Sequence, residues 1–125
     1  MSRWCGITGY FDYYSNSNER VTEVLLKSIS EKSKIGVPTG SEGEIGVQVI
    51  PMGYYSSTVG AEWFRVNVYG NLRDYGDDIE DYNSINKWFS YMTEHIDCGV
   101  WTCTSGYLNI KSELSYQKVW ESNEL

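Results

Sequence analysis

The sequence predicts an α+β protein: a two-layer antiparallel sheet with two helices on one face. Two stretches repeat apolar residues at helical spacing, five others are β-prone or alternate, and a pair of strands separates the helices. At 125 residues, 41% hydrophobic with only 2 Pro, the chain has the length of a single domain, 1–125. About two-thirds of the unfolded surface of such a chain is buried on folding, enough for a core without staples. The same composition excludes a disordered or collagenous chain.

Residues 4–14 are aromatic and β-prone and read as the first strand. Ser15 to Asn18 is a turn with possible helix caps. Val21, Val24, Leu25 and Ile29 then share one helical face, which predicts a helix over 18–33. Ile35 to Gly43 is rich in Gly, Pro and Ser and reads as a loop. Ile45, Val47 and Val49 alternate, giving a strand over 44–51. In 61–69, Phe64, Val66 and Val68 face one way while Trp63, Arg65, Asn67 and Tyr69 face the other. These two strands are expected to form a hairpin. Ile85, Trp88, Phe89, Met92 and Ile96 predict a second helix over 82–96, ending near Cys98-Gly99. Residues 100–104 and 107–120 read as two further strands joined around Ser105-Gly106. This order is that of a ferredoxin-like βαββαβ sheet with an extra C-terminal strand, and right-handed crossovers would set strands 1 and 3 at its centre.

The net charge of −7 is unevenly spread. Residues 74–97 hold Asp74, Asp77, Asp78, Glu80, Asp81, Glu94 and Asp97 against Lys87 alone, a local charge of −6. Phosphate backbones need clustered Lys and Arg, which the chain lacks, so direct nucleic-acid binding is not expected. A basic protein surface, such as that of a nucleic-acid-binding protein, is the complementary partner. The acid spacing does not supply an EF-hand. No apolar run approaches the ~18 residues of a membrane span and Met1–Trp4 lacks a signal-peptide core, so a cytoplasmic protein without membrane contact is expected.

Cys5, Cys98 and Cys103 are an odd set, read as reduced thiols. With His95 they have the composition of a Cys₃His zinc site, although the spacing is not that of a zinc knuckle. No metal and no cofactor is the expectation, with Cys5, His95, Cys98 and Cys103 the weak alternative. Cys5-Gly6-Ile7-Thr8-Gly9-Tyr10 is similar to the start of class II glutamine amidotransferases. That resemblance implies a nucleophilic cysteine assisted by its own α-amino group. Four residues precede Cys5 here, so it is read instead as a buried strand residue. One His and no phosphate-binding loop leave no visible catalytic constellation, and a non-enzyme is expected.

The chain has 5 Trp, 11 Tyr and 3 Phe, more than one small core needs. Tyr13, Tyr14, Tyr54, Tyr55, Trp63, Tyr69 and Tyr75 fall at positions predicted to face outward. Tyr and Trp offer large contact area at low entropic cost. Asp74, Tyr75, Asp77, Asp78, Glu80 and Asp81 with Tyr54, Tyr55 and Trp63 are therefore the predicted partner-binding residues. The function expected is an acidic inhibitor occupying the nucleic-acid groove of a basic protein, by analogy with phage-encoded anti-CRISPR proteins. An immunity or antitoxin protein against a basic nuclease toxin is the alternative. So is a binder of a small ligand such as a nucleotide signal.

Overall fold

A computed structural model describes residues 4–15, 22–56, 61–76, 78–95, 101–112 and 116–123. Its elements are β1 (Trp4–Ser15), α1 (Thr22–Ser33), β2 (Thr39–Gly40), β3 (Gly43–Glu44), β4 (Gly46–Ser56), β5 (Ala61–Arg73), α2 (Ile79–Ser90), β6 (Trp101–Ser112) and β7 (Tyr116–Asn123). The α+β class holds. Five strands pair antiparallel in the order β4-β5-β1-β6-β7, and β2 and β3 make a separate small hairpin. No helix among the described residues is long and apolar enough to cross a membrane.

Strand alternation builds the core. Cys5, Ile7, Phe11 and Tyr13 of β1, Phe64, Val66, Val68 and Leu72 of β5, and Leu108 and Ile110 of β6 are buried on one side of the sheet. Against them lie Ile29 of α1 and Ile85, Trp88 and Phe89 of α2, in one continuous hydrophobic cluster. Phe11 meets the Trp88 ring edge-on, centroids 5.4 Å apart, and the Phe89 ring at 5.7 Å. The Trp88 indole N–H donates to the carbonyl of Ser33 at 3.0 Å, so the same ring that fills the core also ties α2 to the last residue of α1.

Asp78 sets the start of α2. Its backbone is extended and its carboxylate accepts from the N–H groups of Glu80 and Asp81 at 2.7 and 3.4 Å, so the helix begins at Ile79, earlier than apolar spacing alone predicts. Beyond Ser90 the helix widens into a π-helical turn, Tyr91–His95. The Tyr13 hydroxyl donates to the Met92 carbonyl at 2.6 Å and the Thr93 hydroxyl to the Phe89 carbonyl at 2.9 Å, so side chains serve carbonyls in this turn. The predicted stop at Cys98-Gly99 lies outside the described residues.

Three expectations are corrected. Ser105-Gly106 is not a turn: β6 runs straight through it to Ser112, and the next strand, β7, begins only at Tyr116. Gly106 sits mid-strand because a Cβ there would lie 2.8 Å from Thr93 and 3.0 Å from the Phe11 ring. Beside it the β1–β6 register shifts, Asp12 facing Ser105 but Tyr13 facing Cys103, which leaves Thr104 as the extra residue of a bulge. Tyr13 and Tyr75 do not face outward; both are buried. The loop 35–43 contains β2 and the first residue of β3, and Ser41 N–H donates to the Arg73 carbonyl at 3.0 Å, pinning this hairpin to the end of β5.

Burial pushes the Tyr13 phenol well above its usual range and the Cys103 thiol up to about 12, and it raises Tyr75 as well. All three groups are neutral when protonated. Once pH passes their unfolded values of roughly 8.5 to 10, the unfolded chain releases protons that the native state keeps. Their contribution is therefore complete below about pH 8.5 and is lost as pH rises through the raised native values. The urea midpoint should fall steadily above about pH 9, and less so in Tyr13→Phe. A midpoint flat through this range, or the same slope in the variant, contradicts this assignment.

Candidate protein-binding surface

The acidic block wraps the turn from β5 into α2. Asp74 has a positive φ of 55°, and its carboxylate accepts from the Ser41 hydroxyl at 3.2 Å. Arg73 binds Glu42 at 2.9 Å and stands 3.9 Å from Asp74. Asp78 caps α2, and the Asp81 carboxylate accepts the Gly76 N–H at 2.8 Å. Gly76 is required here: its φ is +93° and a Cβ would lie 2.7 Å from the Cys5 sulfur. Asp74, Asp78 and Glu80 are exposed, Asp81 is half-buried, and Tyr75 beneath them donates its hydroxyl to the Asp81 carbonyl at 3.5 Å. Several of these acids therefore hold the corner together besides charging it.

The aromatics grouped with this block do not meet it. Trp63 pairs with Gly53 near the start of β5, and Tyr54 pairs with Glu62, whereas Asp74 follows the last residue of β5. Eleven residues of extended strand separate Trp63 from Asp74, about 36 Å at 3.3 Å per residue. A strand carries its two ends far apart, so residues near in sequence become two patches. Tyr75 is buried and Asp77 lies outside the described residues, as do the side chains of Tyr54 and Tyr55.

The sheet face away from the helices carries an ordered ladder instead. Arg65 reaches across β5 to Asp12 on β1, Nε–Oδ1 2.7 Å and Nη2–Oδ2 3.0 Å. The bond to Asp12 raises the Arg65 pKa, against a smaller opposing effect of burial. Ser105 Oγ adds a contact to Asp12 at 3.4 Å. The guanidinium lies 4.5 Å from the Tyr10 ring centroid and 5.8 Å from that of Trp63. Tyr10 in turn stacks on Tyr107 of β6, centroids 5.8 Å apart and planes 22° from parallel. Trp63, Arg65, Tyr10 and Tyr107 thus span three strands. Trp63 and Arg65 belong to the alternation already legible in 61–69. Tyr10 and Asp12 alternate with Phe11 and Tyr13 in the same way, a signal that sequence reasoning left unused.

The weak zinc set does not assemble. Cys5 pairs with Ser112 while Cys103 pairs with Tyr13, so eight residues of β1 separate the two cysteines, about 26 Å. Both are buried thiols outside any disulfide. Cys98 and the His95 side chain lie outside the described residues. Among the described residues no three His, Cys, Asp or Glu side chains stand close enough together to hold a metal ion. Cys5 is fully buried on the core side, as a strand residue rather than an exposed nucleophile. Compared with protein-family models, curated proteins and solved structures, the chain matches none.

Proposed function

We propose that this protein is a non-enzymatic inhibitor that binds a basic protein surface and occupies a groove built for nucleic acid, in the manner of anti-CRISPR proteins. The observation that carries the reading is the local charge of −6 over 74–97, with Asp74, Asp78 and Glu80 exposed at the β5–α2 corner. Concentrated carboxylates meet a phosphate-binding groove with complementary charge. Its scaffold is a ferredoxin-like βαββαβ unit extended by one strand. Support comes from the order β4-β5-β1-β6, with α1 following β1 and α2 following β5, and from β7 beyond β6.

The test is capture from lysate at two salt concentrations after nuclease treatment, comparing the native chain with Asp74→Asn/Glu80→Gln. Asp78 and Asp81 are left alone, because one caps α2 and the other holds Gly76. The native chain should retain a basic, nucleic-acid-binding protein near one-to-one. The variant should lose most of it at moderate salt, where the remaining charge is screened. Equal retention by the two chains, or no partner, rejects the reading.

A further inference from the structure

We propose that a second copy of this chain pairs antiparallel with the outer edge of β7, Val119 facing Val119 across a two-fold axis, so that the two five-stranded sheets join into one. This goes beyond the proposed function and does not depend on it.

β7 ends the strand order and pairs with β6 over Tyr116–Asn123 in a single register. In an antiparallel sheet alternate residues of a strand bond to one neighbour and the rest to the other. Among the described strands β7 has a neighbour on one side only, so alternate N–H and C=O groups face outward. Edges of natural sheets are commonly shortened, bulged, blocked by proline or guarded by a charge. β7 has eight residues, no proline and no register shift. Its cation, Lys118, lies over the Trp120 and Tyr82 rings, 4.9 and 5.6 Å from their centroids, which holds it toward α2 rather than across the edge.

The strand's own sequence suits a second copy. A two-fold axis perpendicular to the sheet keeps every side chain on its own face, so each pair across the axis joins residues equally far from the centre. Centring the axis on Val119 sets Val119 against Val119, Lys118 against Trp120 and Gln117 against Glu121. Val119, 42% exposed on a face it shares with Gln117 and Glu121, gains an apolar partner. Lys118 gains a second indole, and Glu121 meets a neutral amide rather than a like charge. Moving the axis by one residue is worse in either direction: it opposes Lys118 with Lys118, or Val119 with the Glu121 carboxylate. Lys118 also offsets Glu121, so the strand is neutral in a chain of net charge −7 and adds no repulsion between copies.

The eight residues offer about 27 Å of edge roughly 10 Å thick, which buries on the order of 550 Å² in total over both copies. This lies below the ~1,200 Å² of standard interfaces, so the dimer is weak, with a dissociation constant on the order of 10 µM to 1 mM.

Sedimentation equilibrium across that range tests the pairing, and the weight-average mass should climb from one chain toward two. Val119→Lys opposes two ammonium groups at the axis and should raise the dissociation constant more than about tenfold, leaving the urea midpoint of the dilute chain in place. Mild oxidation in a Cys98→Ser background reads the register, since Cys5 and Cys103 are buried. Val119→Cys should give a covalent dimer, because paired Cα atoms of an antiparallel ladder lie about 4.5–5.5 Å apart, within disulfide reach. Gln117→Cys should not, because its counterpart is displaced by four residues, about 13 Å along the strand. A dimer that Val119→Lys leaves intact, or equal cross-linking of the two cysteine variants, overturns the proposal. A monomer throughout also overturns it and leaves this edge to a strand of another protein.

Discussion

Trp88→Ala is expected to lower unfolding stability by about 3–5 kcal/mol, a large share of the ~5–15 kcal/mol that holds a domain of this size together. Three roles meet in that side chain. Its indole is almost fully buried, it packs edge-on against Phe11 at the centre of β1, and its N–H satisfies the last carbonyl of α1. Alanine removes the ring, leaves a cavity and abandons the Ser33 carbonyl. Trp88→Phe separates these losses: it keeps most of the apolar volume and forfeits the hydrogen bond, a loss of about 1–3 kcal/mol. Urea unfolding with a common m-value reads both. Equal losses in the two variants would mean that the hydrogen bond, not the ring, joins α2 to α1.

Gly9→Ala should be nearly as damaging for the opposite reason. Gly9 lies mid-strand in β1, between Val68 and Leu108. A Cβ there would collide with the Tyr107 carbonyl oxygen and lie 3.0 Å from the Leu108 Cα. Backbone cannot swing aside as a side chain can, so β1 and β6 must part or the ladder must shift. We expect a loss of about 3 kcal/mol, the upper end for overpacking, together with loss of the Tyr10–Tyr107 stack. Gly36→Ala is the control. Its φ is +67° and nothing lies within 4 Å, so only the left-handed backbone is strained, by about 1 kcal/mol. If Gly9→Ala unfolds no more easily than Gly36→Ala, the close approach of β1 and β6 is not a constraint on the sheet.

The elements that read clearly in the sequence are those whose neighbours reinforce their own pattern. Val47 and Val49 face Val68 and Val66 across the β4–β5 ladder, so alternation in each strand points to the same face. Ser105-Gly106 misled because a local turn signal yields to a distant requirement: Phe11 and Thr93, far away in the chain, leave no room for a side chain at 106. Tyr13 and Tyr75 misled because a buried phenol needs only one acceptor, and the Met92 and Asp81 carbonyls provide it. The acidic corner was visible as composition. Its distance from Trp63 was not, because proximity in a list of residues says nothing about which end of a strand each one occupies. The Arg65–Asp12 pair depends on β1 lying beside β5, as the expected central placing of strands 1 and 3 implies, and also on the register that sets Asp12 opposite Arg65, which only the assembled sheet shows.

The two outer strands of the sheet differ. The register of β4 breaks twice, after Pro51 and after Tyr54, and Gly53 has a φ of +109°. β7 pairs with β6 from Tyr116 to Asn123 in one unbroken register, with Val119 42% exposed. Polymerisation by strand addition needs a template on both margins, since each arriving molecule must offer a fresh one. Here one margin is straight and the other is kinked and lacks a donor at Pro51. Molecules that met margin to margin along β7 would exhaust the straight one and present only kinked ones outward. The architecture itself therefore opposes runaway fibre growth, whatever the concentration of the protein.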